Sequence, residues 1–434
     1  MTGAYWPSPW PAEDGGARRL QAAPGHGGLG LAGGAELVVT HRESPGTTMV
    51  VLRDPREVYV LRHGFGPDVV AWVEQIDPIS LAVIGRTPDL AAGPMWPGGM
   101  ACHADGSLHV VFGNHAHRLA ADLTVLTSAE LPRPRPYNSF VVLPDGCLAT
   151  KDFAGLRPGQ PAATPRLRSE LLVLNPGDLS IRARLELPEP SIARLSAAGD
   201  DIYVVGDTSL MRVGWDGARL ELDDGFVAPY RTLDGQTYGW DAVVAAGAAW
   251  FLDDGEGSER YTGSFRGLGQ STAPLHIVRV DLETAAVTLT EVCGLPGGLI
   301  ANPPLVDVDR SIVVGFDSGN GVLAAFDLAA DGSLRLRWSR EQDHACHLLL
   351  FPETGELVSA DHDGGRMAEQ VVVLDIETGG ELARADTGGP LQSAVFPAAG
   401  FDGDAYLTSF STLTRISTTG PGQARSGDCA YSDA

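Results

Sequence analysis

One pattern recurs about eight times along this chain and constrains its fold more than any other feature. A short apolar run leads into a tight polar turn. A second apolar strand follows, then a third that usually ends in Asp and a turn, then a fourth. The clearest copies are NSFVVLPDGCLATKD from Asn138, NPPLVDVDRSIVVGFD from Asn302 and CHLLLFPETGELVSADHD from Cys346. A repeat of roughly 40–50 residues built from four strands is the signature of a propeller blade. The expected fold is therefore all-β, a single propeller of eight four-stranded blades. Seven blades result if the weak copy around Met100 or Ile192 is misread.

First strands are expected at 48–52, 100–103, 139–143, 192–197, 241–245, 305–308, 348–351 and 393–396. Several are continuous apolar runs, as expected of strands buried on both faces between blades. The last copy has only three strands, and the early strand at 36–40 has no blade of its own. Pairing the two closes the ring and removes exposed edges. The domain reading is a loose Pro/Gly/Ala-rich arm over 1–34, a propeller over 35–417 and an unstructured tail over 418–434.

Loop lengths give the ring a polarity. Turns from first to second strands, and from third to fourth, are nearly all short. The large insertions fall between second and third strands (154–169 and 255–274) or between blades (88–99 and 223–240). Both of these connection types emerge at one end of a propeller, and long loops in a compact domain are usually functional. That end is the expected working face.

The residues expected there carry chemistry. Asn138, Asp241, Asn302 and His347, at or beside the starts of first strands, form a set that could hold Ca²⁺ or, through imidazole, Mn²⁺, Zn²⁺ or Fe²⁺. Lys151, the only Lys among 31 basic residues, and its neighbour Asp152 end a second strand. With His115 and His362 they are the candidate proton carriers. Arg157 and Arg266 in the two insertions, with Tyr238 and Trp240, are candidate contacts to an anionic small molecule. Each also has a structural explanation: turn hydrogen bonding, a surface ion pair, or aromatic packing.

Composition narrows the partners. A net charge of −24 argues against nucleic acid and anionic membrane. Five scattered Cys read as free thiols in a reducing compartment, and the N-terminus has no basic start followed by an apolar stretch, so a cytoplasmic location is expected. The sequence leaves the oligomeric state open.

The third-strand motifs VLDIETGGELA at 373–383, RVDLETAAV at 279–287 and VLNPGDLSI at 173–181 resemble the repeat of quinoprotein-type (PQQ-like) eight-bladed propellers. The quinone-dependent dehydrogenases of that group carry a Trp in each blade's closing motif and an adjacent Cys pair. This chain has neither, so PQQ is not expected. The set Asn138, Asp241 and Asn302 also resembles the channel metal site of calcium-dependent gluconolactonase-type lactonases. His347 and Gln392 are placed as in propeller lyases acting on acidic sugars. These resemblances imply metal-assisted hydrolysis of a lactone or ester, or elimination next to a carboxylate. A non-catalytic ligand-binding propeller and a cofactor-dependent oxidoreductase are the alternatives.

Overall fold

The structure, a computed structural model, describes residues 3–66, 69–157, 160, 164–393 and 395–419. It is an eight-bladed propeller in which every blade has four antiparallel strands in up-and-down order, and blades 1 and 4 add a short fifth. The innermost strands are Thr47–Leu52, Gly99–Cys102, Val141–Val142, Ser196–Ala198, Val243–Ala245, Leu305–Asp307, Leu349–Phe351 and Pro397–Ala399. The expected first strands of blades 4 and 8 began about four residues early, because the apolar approach to the strand looks like the strand itself. The eighth blade is closed by the early strand: Glu36–Glu43 pairs antiparallel with Thr412–Thr419, from Glu36 opposite Thr419 to Glu43 opposite Thr412. The tail beyond 419 lies outside the described residues.

Burial follows the position of a strand within its blade. The inner strand Thr47–Leu52 and the second strand Leu108–Phe112 are buried at every residue. The outer strand Val125–Glu130 alternates half-buried and exposed residues, as expected where one face meets water. Apolar side chains of adjoining blades interlock into continuous clusters, such as the one joining Val141 and Leu171 of blade 3 to Ile202 and Met211 of blade 4.

The segment read from composition as a loose arm is packed inside the ring. Trp10, Asp14 and Gln21 are completely buried, and Arg19 is 2% exposed. The reason lies in propeller geometry. Each innermost strand has an edge facing the axis with no partner strand, and buried N–H groups need acceptors. The N-terminal segment supplies them in turn. Leu52 N–H donates to the carbonyl of Trp10 at 2.9 Å, and Cys102 to that of Pro11 at 2.7 Å. Further round, Ala197 donates to Ala17 at 2.8 Å, Val244 to Arg18 at 2.9 Å and Leu350 to Gln21 at 2.8 Å. The segment lies at the C-terminal ends of the inner strands, opposite the long loops, so it crosses the lower end of the channel.

Trp10 belongs to the same buried apolar cluster as Val50 and Leu52 of blade 1 and Ala398 and Tyr406 of blade 8. Trp10→Ala is expected to destabilise the whole ring by about 3–5 kcal/mol, the usual cost of emptying a buried indole site. Urea denaturation followed by far-UV circular dichroism would measure this; a shift below about 0.5 kcal/mol, typical of an exposed side chain, would contradict it.

Candidate functional site

The long loops converge over one end of the axis. The insertion at 255–274 crosses from blade 5 to blade 8. Tyr261 Oη donates to the Gln392 carbonyl at 2.6 Å, and Phe265 N–H donates to Gln392 Oε1 at 2.6 Å. Gln392 N–H donates back to Gly263 at 2.8 Å. Under this strap is a cavity of about 210 Å³, walled mainly by Phe65, Met95, Trp96, Trp240, Phe265 and Phe410. Trp96 stacks on Phe153 with ring centroids 4.2 Å apart, and Trp240 lies 6.4 Å from Trp96 at an interplanar angle of 19°. The polar groups at the cavity are few, chiefly His63, Arg194, Ser258 and Asn302. His63 Nδ1 is 2.8 Å from the Gly64 carbonyl, and burial lowers its pKa, which favours the neutral ring.

Below Arg194 lies a buried ion cluster built from the N-terminal segment and three blades. Arg19 donates to Glu13 at 2.9 Å and to Asp14 at 2.8 Å, and stands 4.0 Å from Asp241. Arg194 Nε is 3.2 Å from Glu13, and its Nη1 is 3.8 Å from Asp241. His347 Nδ1 is 2.8 Å from Asp14. Burial raises Glu13 to about 7 in spite of both arginines. Burial opposes the ionisation of Asp14 as well, but His347 and Arg19 outweigh it and hold Asp14 below its ordinary value. Gly99 makes room for this cluster: a Cβ there would lie 2.5 Å from Glu13 Oε1 and 2.7 Å from Ser139 Cα.

The four residues expected to hold a metal are therefore engaged differently. Asp241 Oδ1 accepts the backbone N–H of Arg194 at 2.6 Å, and its other oxygen faces two guanidiniums. His347 pairs with Asp14, and Asn302 donates to the Ala345 carbonyl. Asn138 donates to the Ile192 carbonyl at 3.2 Å, and its Oδ1 is buried without a hydrogen-bond partner. Arginine supplies the positive charge this set could otherwise take from a cation, so the donors do not fit a metal here.

The other expected site residues are spread around the rim. Trp240 and Asn302 line the cavity; the remainder do not. Lys151 is fully buried and donates to the carbonyls of Asp152 at 3.0 Å and Ser191 at 3.1 Å. Asp152 lies against Arg135, with Arg133 3.5 Å away. His115 Nδ1 is 2.7 Å from the Ala92 carbonyl, and His362 Nε2 is 3.1 Å from that of Pro390. Arg266 pairs with Asp343 at 2.8 Å and Glu341 at 3.3 Å, so its charge is already answered. Tyr238 lies under Arg166, whose guanidinium carbon is 4.0 Å from the ring centre. Burial lowers the pKa of Arg157, which lies in the insertion over 154–169. Sequence reading missed Glu13, Asp14, Arg19 and Arg194. Charged residues in a Pro/Gly-rich stretch look solvated, and their partners are distant in the chain.

A His/Asp triad that could hold a metal ion stands at the opposite end, in blade 2. Ligand atoms of His103, Asp105 and His109 lie within 4.8 Å of one another. Each already has a protein contact: His103 Nδ1 is 3.0 Å from Asp105, Arg118 is 2.9 Å from Asp105, and His109 Nε2 is 3.1 Å from Ser107 Oγ.

No protein-family model matches the chain, and no curated protein matches it in sequence. Solved structures do match in fold. A quinohemoprotein alcohol dehydrogenase from Comamonas testosteroni has a TM-score of 0.61 at 11% identity, over 94% of this chain and 80% of that one. Another such enzyme, ADHIIG from Pseudomonas putida HK5, has a TM-score of 0.59 at 10% identity, over 95% of this chain and 80% of that one. BamB from Moraxella catarrhalis has a TM-score of 0.53 at 11% identity, over 88% of this chain and 98% of that one. The fold is thus that of the PQQ-like eight-bladed propellers, at an identity that speaks for fold alone.

Burial lowers the Lys151 amine from 10.5 to about 7. Between these values the unfolded chain binds a proton here that the folded protein does not, so this residue makes stability rise with pH across that window and fall as pH drops towards 7. The slope is at most about 1.4 kcal/mol per pH unit. Lys151→Met is expected to remove this rise, read from urea denaturation midpoints between about pH 7 and 10; an unchanged slope would place the effect elsewhere.

Proposed function

We propose that this propeller binds a small molecule with a largely apolar body in the cavity at the strap-covered end of its axis. The observation that carries this reading is the cavity itself: concave, aromatic-walled and covered by a strap anchored on two blades, with a few polar groups at its margin. Sites of this composition gain affinity from apolar burial and orientation from a few polar groups. Trp96 and Trp240 supply flat surfaces suited to a ring or a polyene.

N-phenyl-1-naphthylamine, an uncharged aromatic whose fluorescence rises in apolar surroundings, is the direct probe. It is expected to bind with a Kd in the micromolar range. Ala301→Trp, which places an indole in the cavity, is expected to weaken it by about tenfold or more, or about 1.4 kcal/mol. Equal binding by both proteins, with the variant folded by circular dichroism, would remove this reading.

Metal-dependent hydrolysis or elimination is the second reading, and the convergence of His103, Asp105 and His109 is what favours it. Metal analysis of protein purified without chelator tests it. Stoichiometric zinc, manganese or iron that is lost in His109→Gln would support it, and protein without metal would count against it.

A further inference from the structure

The cavity and the ion cluster below it meet at one side chain, Arg194. Its guanidinium carbon lies 4.7 Å from the centre of the Phe396 ring, and it is held by Glu13 at 3.2 Å and Asp241 at 3.8 Å. The two carboxylates beside Arg19 are not equally secured. Asp14 has His347 at 2.8 Å as well as Arg19, whereas Glu13 shares Arg19 with Asp14 and shares Arg194 with Asp241. Glu13 Oε1 is buried without a hydrogen-bond partner; Asp14 Oδ1 makes no hydrogen bond either, but faces His347 Nδ1 at 2.8 Å.

The charged and titratable groups around Glu13 come from five elements. Tyr5, Asp14 and Arg19 belong to its own segment, Arg194 to blade 4 and Asp241 to blade 5. His347 of blade 7 stands behind Asp14, and Lys151 of blade 3 lies within electrostatic range of Asp241 and Arg194. The charge of Arg194 is answered by the carboxylates of Glu13 and Asp241. An anion drawn to Arg194 from the cavity side would add a further negative charge to a buried cluster that cannot be screened by water. The response that changes fewest contacts is for Glu13 to accept a proton, which cancels the added charge and leaves Arg194 to the ligand.

Resting on the reading of the cavity as a binding site, we propose that its ligand is an organic anion with an apolar body, and that binding is coupled to the uptake of one proton by Glu13. Burial already lifts Glu13 to about 7, so the coupling falls in the neutral range. The sign follows from linkage. A group that gains a proton on binding makes affinity fall as pH rises, by up to about tenfold per pH unit once Glu13 is ionised in the empty protein.

Two probes of one skeleton test this. 8-Anilinonaphthalene-1-sulfonate carries a sulfonate that stays ionised from about pH 5.5 to 8.5, and N-phenyl-1-naphthylamine is its uncharged counterpart. The expected result has three parts. The sulfonate binds the full-length protein more weakly as pH rises, with uptake of about one proton by calorimetry in buffers of different ionisation enthalpy. The neutral probe shows no pH dependence. Glu13→Gln abolishes the uptake and flattens the sulfonate's pH profile, while Lys151→Met retains both. Sulfonate binding that is lost in Ala301→Trp but takes up no proton overturns the coupling and leaves the cavity reading standing, as does uptake that survives Glu13→Gln. Binding of neither probe, or binding of both regardless of Ala301→Trp, overturns the cavity reading and the coupling together. The wild-type calorimetry decides the matter even if Glu13→Gln fails to fold.

Discussion

The unpaired inner edge of each blade is the constraint on which the rest of this structure depends. Pairing Glu36–Glu43 with Thr412–Thr419 completes the eighth blade and joins the two ends of the ring, yet the inner edge of every blade remains turned towards the axis. Water can satisfy such edges in an open channel. Here the residues just before the closing strand do so, passing from Trp10 at blade 1 to Gln21 at blade 7. The same stretch of chain therefore stitches the ring from inside and hands over directly to the strand that closes it from outside.

Threading a segment through the axis brings charge into the core. Three carboxylates, Glu13, Asp14 and Asp241, meet two guanidiniums and one imidazole, all at most 5% exposed. Such clusters add little stability compared with apolar packing, but removing one partner leaves a buried charge that costs several kcal/mol. Their value is specificity of arrangement. Arg19 bonds to Glu13, Asp14 and the Leu195 carbonyl at once, which fixes the segment's register against blade 4. Arginine suits this better than a metal ion would, because its planar fork meets several oxygens from separate chain segments.

The blades were legible because their turns are written locally. Asp281 Oδ1 accepts the N–H groups of Glu283 and Thr284 and the Thr284 hydroxyl, and Asp375 does the same with Glu377 and Thr378. These short-range bonds appear in sequence as Asp-x-Glu-Thr, so the repeat and its polarity can be read without a structure. The axial cluster has no such signature. Glu13 finds Arg194 across some 180 residues, and nothing near Glu13 marks it as buried. The neighbouring glycines and prolines, which read as looseness, instead let the segment bend sharply: Gly15 and Gly16 adopt φ of 80° and 136° between Asp14 and Arg19. Trp240 and Asn302 were found because strand starts face the mouth. Lys151 and Asp152 sit at the same level one strand further out, where side chains pack between blades and not into the channel.

The two ends of the axis are thereby given different roles. The lower end is crossed by a segment bonded to seven blades, whose rearrangement would break backbone hydrogen bonds and expose paired charges. The upper end is covered by a strap tied to blade 8 through Gln392, and to blade 6 and the segment after it through Gly267 N–H to the Gly319 carbonyl and the Arg266–Asp343 pair at its surface. Opening the strap costs hydrogen bonds and an exposed ion pair that water can replace, whereas opening the floor costs buried ion pairs that water would have to solvate anew. If the cavity binds a ligand as proposed, the strap end is therefore its route of exchange. On the proposed reading, the floor would stay in place and respond to a ligand through the protonation of Glu13, not through displacement of its charges.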